Sequence, residues 1–329
     1  MRSEDNQNMS AAACLSIIIP IFNSGEYLGK CIDSLLASSG IEDAEIILVD
    51  DGSTDSSSQT ADKYAKDNPN IKVFHKENSG PSDSRNYGVL KAEGKYVAFV
   101  DSDDQVDPEL FSEVIELTKS ADADIFLWNS SLIDEEGKII KDGHDYSFRG
   151  FEESDGIITG KAVIERQIKE TGDFVVLVCL GVLRRSFLID NDLLFEKDLW
   201  HEDELWAPKV MLSAKKVQLI SDKVYLYRIH KGSITNPKTD DCKKHVESLM
   251  YIYPELYKYY DEALAGDPLK EVMEDNLTHR FIYRLIDYDF YRYGYGKKVD
   301  KKLLWKTSRR FKDKIKIMYL RCRDLFVRG

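Results

Sequence analysis

Carboxylates gather at one point of this chain, where Asp101, Asp103 and Asp104 follow directly on the apolar run Tyr96-Val97-Ala98-Phe99-Val100. Like charges delivered to a strand end repel one another unless a cation sits among them, and hard oxygen ligands suit Mg²⁺ or Mn²⁺ holding a phosphate ester. A second apolar run, Ile46-Ile47-Leu48-Val49, ends in Asp50-Asp51-Gly52-Ser53. Two strands of one sheet, each ending in Asp at its carboxyl edge, point to a site for a nucleotide phosphate and a divalent metal. A hundred residues later, Trp200-His201-Glu202-Asp203-Glu204-Leu205-Trp206 offers further carboxylates at a helix start, and one of them could take a proton from a hydroxyl.

The elements that must position these groups are legible between residues 15 and 130. Leu15 to Pro20, Glu45 to Val49, Ile71 to His75, Tyr96 to Val100 and Asp124 to Asn129 read as strands. Helices over Tyr27 to Leu36, Ser57 to Lys66, Asp83 to Glu93 and Pro108 to Ser120 alternate with them, which predicts βαβ units and a mostly parallel sheet. Asn23-Ser24-Gly25-Glu26 has the form of a capping box for the first helix. Arg85 falls in the first turn of the third helix, if that helix opens at Ser82 or Asp83. A cation there asks for an anion partner. Beyond Ser131 the pattern loosens. Asp134-Glu135-Glu136-Gly137 reads as a hairpin turn, Val175 to Leu183 as β-like, Lys216 to Tyr227 as a strand pair, and His230 to Asp241 as a loop. Residues 242–329 read as mainly helical.

At 329 residues, with 43% apolar and 11% aromatic residues, the chain can bury a sizeable core. Five scattered cysteines without a CxxC pair argue against a disulfide framework or structural zinc and fit a reducing, cytoplasmic setting. Residues 1–13 lack an apolar centre and read as a disordered tail, not a signal peptide. No apolar stretch approaches the ~20 residues of a membrane span. The net charge of −12 conceals an asymmetry, because residues 297–329 carry thirteen Lys or Arg against three Asp, leaving 33 basic and 55 acidic residues elsewhere. So acidic a body argues against nucleic acid as a partner. The basic tail admits two placements: amphipathic helices on an anionic membrane surface, or a helical appendage packed on the body.

Four ordered blocks resemble the family 2 glycosyltransferases, which have a GT-A fold. They are Ser16 to Asn23, Leu48 to Asp55, Asn78 to Gly88, and Gly94-Lys95-Tyr96 leading into Asp101-Ser102-Asp103-Asp104. The resemblance implies a mostly parallel central sheet flanked by helices, with a catalytic domain over residues 14–240 and a helical, basic C-terminal region over 241–329. It implies an inverting enzyme that moves a sugar from a UDP-sugar to a hydroxyl of a saccharide or lipid-linked acceptor in cell-surface polysaccharide synthesis, using Mn²⁺ or Mg²⁺. By the same resemblance Asp51 accepts from the uracil N3–H, Asp103 contacts the metal, and Asp101 reaches the ribose or the metal's waters. Arg85 faces the nucleotide or its diphosphate, with an ion pair to Asp83 or the Asp cluster as the other reading. Pro20, Phe22, Asn23, Glu26, Asn78, Gly80 and Ser102 complete the donor-binding set. Asp203 is the base, with Glu202 the alternative. In the looser block Tyr225 to Thr235, Arg228 would neutralise the diphosphate and His230 would complete the metal shell. A nucleotidyltransferase would want a basic, Gly-rich loop after the first strand, but Ile21 to Glu26 holds no basic residue. No GxGxxG marks a dinucleotide oxidoreductase. A nucleotide-sugar-binding protein without turnover is the non-enzyme alternative.

Overall fold

The computed structural model describes residues 13–141, 146–150, 153–230 and 242–326. Continuous apolar runs suit strands covered on both faces, and the first four strands form the parallel half of the sheet, three of them interior and one, which carries Lys72 and is only partly buried, at its edge. β1 (Leu15–Ile21), β2 (Ala44–Asp50), β3 (Ile71–His75) and β4 (Tyr96–Phe99) run parallel, with β1 between β2 and β4. Their crossovers contain α1 (Leu28–Leu36), α2 (Ser57–Asp67) and α3 (Pro81–Lys91). There follow β5 (Gln105–Val106), α4 (Pro108–Ser120), β6 (Ile125–Ile133), α5 (Gly160–Thr171), β7 (Gly181–Arg184), α6 (Arg185–Asp190), α7 (Glu202–Ser213) and β8 (Val217–Arg228). The strand order is β3-β2-β1-β4-β7-β6-β8-β5. Beyond β4 the sheet becomes mixed, because β7 runs antiparallel to both β4 and β6, and β5 antiparallel to β8.

The chain then turns helical: α8 (Cys242–Ala263), α9 (Leu269–Asp287), α10 (Lys301–Thr307) and α11 (Phe311–Phe326). His245, Val246, Leu249, Ile252, Tyr253, Leu256 and Tyr260 form a buried stripe along α8. α8 packs on α7, α9 on α8, and both α10 and α11 on α9. The C-terminal helices are therefore docked on the element that carries Glu202 and Asp203.

Several local expectations change. The capping box does not form: α1 starts at Leu28 after Tyr27, and Asn23 (φ 51°) turns its Oδ1 to the Thr54 N–H at 2.8 Å. α3 opens at Pro81 behind Gly80, so Arg85 lies one or two residues deeper in the helix than expected. Val175 to Leu183 is buried as expected, yet only Gly181–Arg184 forms a strand. The Trp128 indole donates to the Cys179 carbonyl at 3.0 Å, and this segment fills core without a ladder. Apolarity there signals burial, not pairing. Lys216 to Tyr227 is one strand, not two, with Ser221-Asp222-Lys223 looped out where the register to β6 slips between Trp128 and Ser130. The turn at Asp134 to Gly137 does form, with the Gly137 N–H on the Asp134 carbonyl at 3.0 Å. The expected tail over residues 1–13 lies outside the described residues except Ala13, as does the expected loop from Lys231 to Asp241.

Candidate active site

Asp50, the last residue of β2, and Asp51, the first beyond it, have opposite fates. Asp50 turns back into the fold and accepts from the Ser53 N–H (3.1 Å), Ser58 Oγ (2.5 Å) and His75 Nδ1 (2.9 Å). Burial opposes its charge, but those bonds hold its carboxyl below the ordinary value. Asp51 faces the loop before α3. One of its oxygens accepts from the Ser79 N–H (2.9 Å) and Lys76 Nζ, the other from the Gly80 N–H (2.8 Å). A carboxylate has about four acceptor positions, so one remains for a further donor. Gly80 is at φ 88° and ψ 166°, a backbone region open to glycine alone, and this conformation turns its N–H onto Asp51. Asn78 Nδ2 closes the loop on the Asp51 carbonyl at 3.0 Å.

The acidic cluster after β4 is resolved by giving each carboxylate a different partner. Asp104 is buried. It accepts from Tyr225 OH and the Arg228 backbone N–H, both at 2.7 Å, and burial together with Asp103 and Asp101 pushes its pKa well up. Tyr225 OH also receives the Asp101 N–H at 3.1 Å, so one phenol clamps both ends of the turn. Asp103 lies 2.9 Å from His230 Nε2. Asp101 pairs with Arg85 Nη2 at 2.8 Å. Ser102 Oγ meets Ser24 Oγ at 2.5 Å, tying this turn to the loop after β1.

Arg85 is buried, and its Nη1 reaches Glu202 at 2.5 Å. One guanidinium therefore joins the acidic turn after β4 to the first turn of α7. Its Nε–H has no acceptor among the described residues. α7 begins with Glu202, Asp203 and Glu204, and each is treated differently. Glu204 is buried under Arg284 (2.9 Å) and Arg280 (3.2 Å) from α9. Asp203, next to Glu202, has its carboxylate on the Glu204 N–H at 2.9 Å. Burial first, then Glu202 and Glu204, raises the Asp203 pKa to about 8, against the pull of Arg280. The N-cap, His201, sits at φ 63° and its Nε2 meets His245 Nδ1 of α8 at 2.8 Å. Burial, Arg284 and His245 depress the His201 pKa to about 3, which keeps its ring neutral.

The structure thus brings Asp101, Asp103, Ser102, Arg85, Glu202 and His230 into one connected array, with Asp203 beside it. Pro20, next to last in β1, lies opposite Val49, Phe22 is exposed, and Glu26 is exposed one residue before α1's cap. Asn23 is committed to the loop after β2. Arg85 does not pair with Asp83, which instead meets Lys76 and Lys197. Arg228 departs furthest from its expected place. It is buried, with Nε on the Asp103 carbonyl (2.7 Å), Nη1 on the Asp134 and Glu135 carbonyls (2.8 and 2.9 Å) and Nη2 on Gln105 Oε1 (2.6 Å). Four of its five N–H donors are spent on the fold, so it braces the acidic turn. Sequence reasoning gave no role to Tyr225, although it opens the looser block, and missed Lys76, which carries no motif, and the pair Arg280 and Arg284. Their i, i+4 spacing on a helix was a visible sign of one basic face.

The donor set suits a divalent ion of the Mn²⁺ or Mg²⁺ type. Asp103 supplies a carboxylate and His230 an imidazole at adjacent positions. Among the described residues no group of three or more His, Cys, Asp or Glu forms a ready cage. The remaining positions would fall to donor phosphates and water, as is usual for such ions.

Ligands of open α/β sheets bind beyond the carboxyl ends of the strands, where this array lies. The family model for glycosyl transferase family 2 matches residues 16–191, and the chain belongs to that family and is a glycosyltransferase. It is 31% identical over 266 residues to the uncharacterized glycosyltransferase YibD of Escherichia coli K12, covering 79% of this chain and 76% of that one. The poly(ribitol-phosphate) beta-N-acetylglucosaminyltransferase TarS of Staphylococcus aureus is 28% identical over 289 residues, 82% of this chain and 44% of its own length. The structure of TarS in complex with UDP-GlcNAc covers 95% of this chain and 88% of that one at TM-score 0.69 and 22% identity, which shows the shared GT-A fold. The mannosyltransferase PcManGT of Pyrobaculum calidifontis, in complex with GDP-Man and Mn²⁺, aligns at TM-score 0.55 and 12% identity, over 96% and 88% of the two chains.

Proposed function

We propose that this glycosyltransferase is an inverting, metal-dependent enzyme that takes a sugar from a UDP-sugar and places it on a hydroxyl of a saccharide or lipid-linked acceptor in cell-surface polysaccharide synthesis. The observation that carries the reading is Arg85, which joins Asp101 of the acidic turn to Glu202 beside Asp203. Donor and base sites are thereby held as one unit. The UDP-GlcNAc complex of TarS and its poly(ribitol-phosphate) acceptor support the donor and acceptor classes. Within the catalytic region, put at residues 14–240, Asp51 offers its remaining acceptor position to the uracil N3–H. Asn78, Gly80 and Ser102 shape the same side of the site, and Pro20, Phe22, Asn23 and Glu26 lie along its rim. Asp103 and His230 would hold Mn²⁺ or Mg²⁺, which when bound offsets the charge of the departing diphosphate. Arg228 acts by holding the Asp103 turn. Asp203 accepts the acceptor's hydroxyl proton as that oxygen attacks the anomeric carbon, and the bond to UDP breaks with the electron pair leaving on UDP. One base suffices for this displacement. All five cysteines are free, which supports a reducing cytoplasm, and a lipid-linked acceptor would be met at the inner face of the membrane. No helix among the described residues is long and apolar enough to cross it.

The test is UDP release from a panel of UDP-sugars with Mn²⁺, with and without saccharide acceptors, and with chelator added. Turnover that needs both metal and a UDP-sugar is expected. Failure to bind any nucleotide sugar would overturn the reading.

The raised pKa of Asp203 sets the pH dependence. Below about 8 the carboxyl is mostly protonated and cannot serve as a base. kcat/KM, which reports the free enzyme, should climb about tenfold per pH unit from roughly pH 6 and level off above about pH 8. Stability moves the other way. The folded state holds this proton more tightly than the unfolded chain, so the group's contribution is full below its unfolded pKa and is lost as pH rises through about 8. A kcat/KM profile at saturating Mn²⁺ that is flat over this range would exclude Asp203 as the titrating base.

A further inference from the structure

α11 presents three distinct faces. Asp313, Ile317 and Leu320 are buried against the preceding helices, with His279 Nδ1 on the Asp313 carboxylate at 3.0 Å and Tyr291 OH on the Leu320 carbonyl at 2.7 Å. On the opposite side Phe311, Ile315, Met318 and Tyr319, at i, i+4, i+7 and i+8, are 78%, 48%, 49% and 59% exposed, and the exposed Cys322 continues the stripe. Between these two faces, along both edges of the stripe, stand five cations. Lys312, Lys316 and Arg323 fall on one edge, Lys314 and Arg321 on the other. Four of the five lie against aromatic rings: Lys314 and Arg321 over Trp305 (5.4 and 5.1 Å), Lys316 over Tyr283 (2.9 Å) and Arg323 over Tyr291 (4.3 Å). Their positions are therefore set by the fold. The helix's two acids are withdrawn from this surface, Asp313 by burial and Asp324 by pairing with Lys301 at 2.7 Å.

An apolar stripe turned away from the core is costly in water unless something covers it. We infer that the outward face of α11 is a docking surface for an anionic lipid bilayer, the apolar stripe entering the interface and the flanking cations meeting lipid phosphates. Charge complementarity selects this occupant. Residues 297–329 carry thirteen basic and three acidic residues, while the rest of the chain is strongly acidic and would be repelled by the same surface. Binding through this face would orient the molecule on the membrane. A second copy of the chain would bring the same five cations against themselves. The inference deepens the membrane-side reading of the acceptor given above, but its readout needs neither donor nor turnover.

The full chain is incubated with vesicles of phosphatidylglycerol and phosphatidylcholine in equal parts, or of phosphatidylcholine alone, and the bound fraction is read by flotation. Partition onto the anionic vesicles at least tenfold above the neutral ones is expected, and it should fall as salt is raised. The variant Phe311→Ser/Ile315→Ser/Met318→Ser/Tyr319→Ser should lose at least tenfold of that binding while its melting curve and UDP release stay unchanged. Phe311→Ser alone, at the most exposed position, should lose a measurable part. Equal partition onto both vesicle types, no partition at all, or unchanged binding by both variants would overturn the inference. So would a concentration-dependent dimer in sedimentation that the stripe variant abolishes.

Discussion

Asp203→Asn should lower kcat by about 10²–10⁴-fold, the range a positioned general base supplies, while donor affinity, read by calorimetry or protection from thermal unfolding, changes little. The substitution keeps shape and the bond to the Glu204 N–H but removes the group proposed to accept the proton. Donor contacts proposed here lie on the other side of Arg85, at Asp51, Asp101 and Asp103, and the change leaves them intact. Glu202→Gln is the informative companion. Its carboxylate is committed to Arg85, so its loss should appear in stability and donor affinity before it appears in the pH profile. Near-normal turnover by Asp203→Asn with donor bound would remove Asp203 from the role of base. The pH limb near 8 should vanish in the same variant, which separates loss of the base from a general loss of structure.

Arg85→Met should destabilise the protein by about 3–5 kcal/mol, because removing the cation leaves Asp101 and Glu202 as uncompensated charges in a partly dry site. Both carboxylates depend on this one guanidinium, and its fork geometry is what reaches two acids from different elements. Arg85→Lys should recover little, since an ammonium is a point charge that cannot span both. Adding Glu202→Gln to Arg85→Met should restore part of the loss, as one orphaned charge disappears. Urea denaturation of the set would measure these differences. If the double variant were no more stable than Arg85→Met, the coupling between donor and base sides would not run through this residue.

Much of the framework follows from local pattern. Three apolar runs in the first hundred residues, Leu15 to Pro20, Ile46 to Val49 and Tyr96 to Val100, predict buried strands, and the Asp residues after the last two fall at the sheet's carboxyl edge, where the structure has them. The second half was less legible. Val175 to Leu183 is as apolar as any strand, yet most of it is core filler without a pairing partner. Lys216 to Tyr227 carries turn residues that the structure loops out of one continuous strand. In both cases side-chain type reports burial, while pairing depends on which neighbour already occupies the adjacent edge.

By itself the sequence determined the carboxylates' places in the chain, the strands that end in them, and the family those blocks resemble. It also showed Arg85 as a cation in want of an anion. Only the tertiary structure decided which acids answer it. The choice of Asp101 and Glu202 over Asp83 rests on a contact between residues 117 positions apart, and no local pattern encodes such a distance. The same holds for Arg228, whose charge suggests a phosphate partner. Its burial commits it to backbone carbonyls instead, because a desolvated guanidinium must satisfy its donors where it lies. The basic tail, too, is only a composition until packing turns one face of α11 inward and leaves the other outside. Local chemistry supplies the groups, and long-range packing sets which of them meet and which are desolvated.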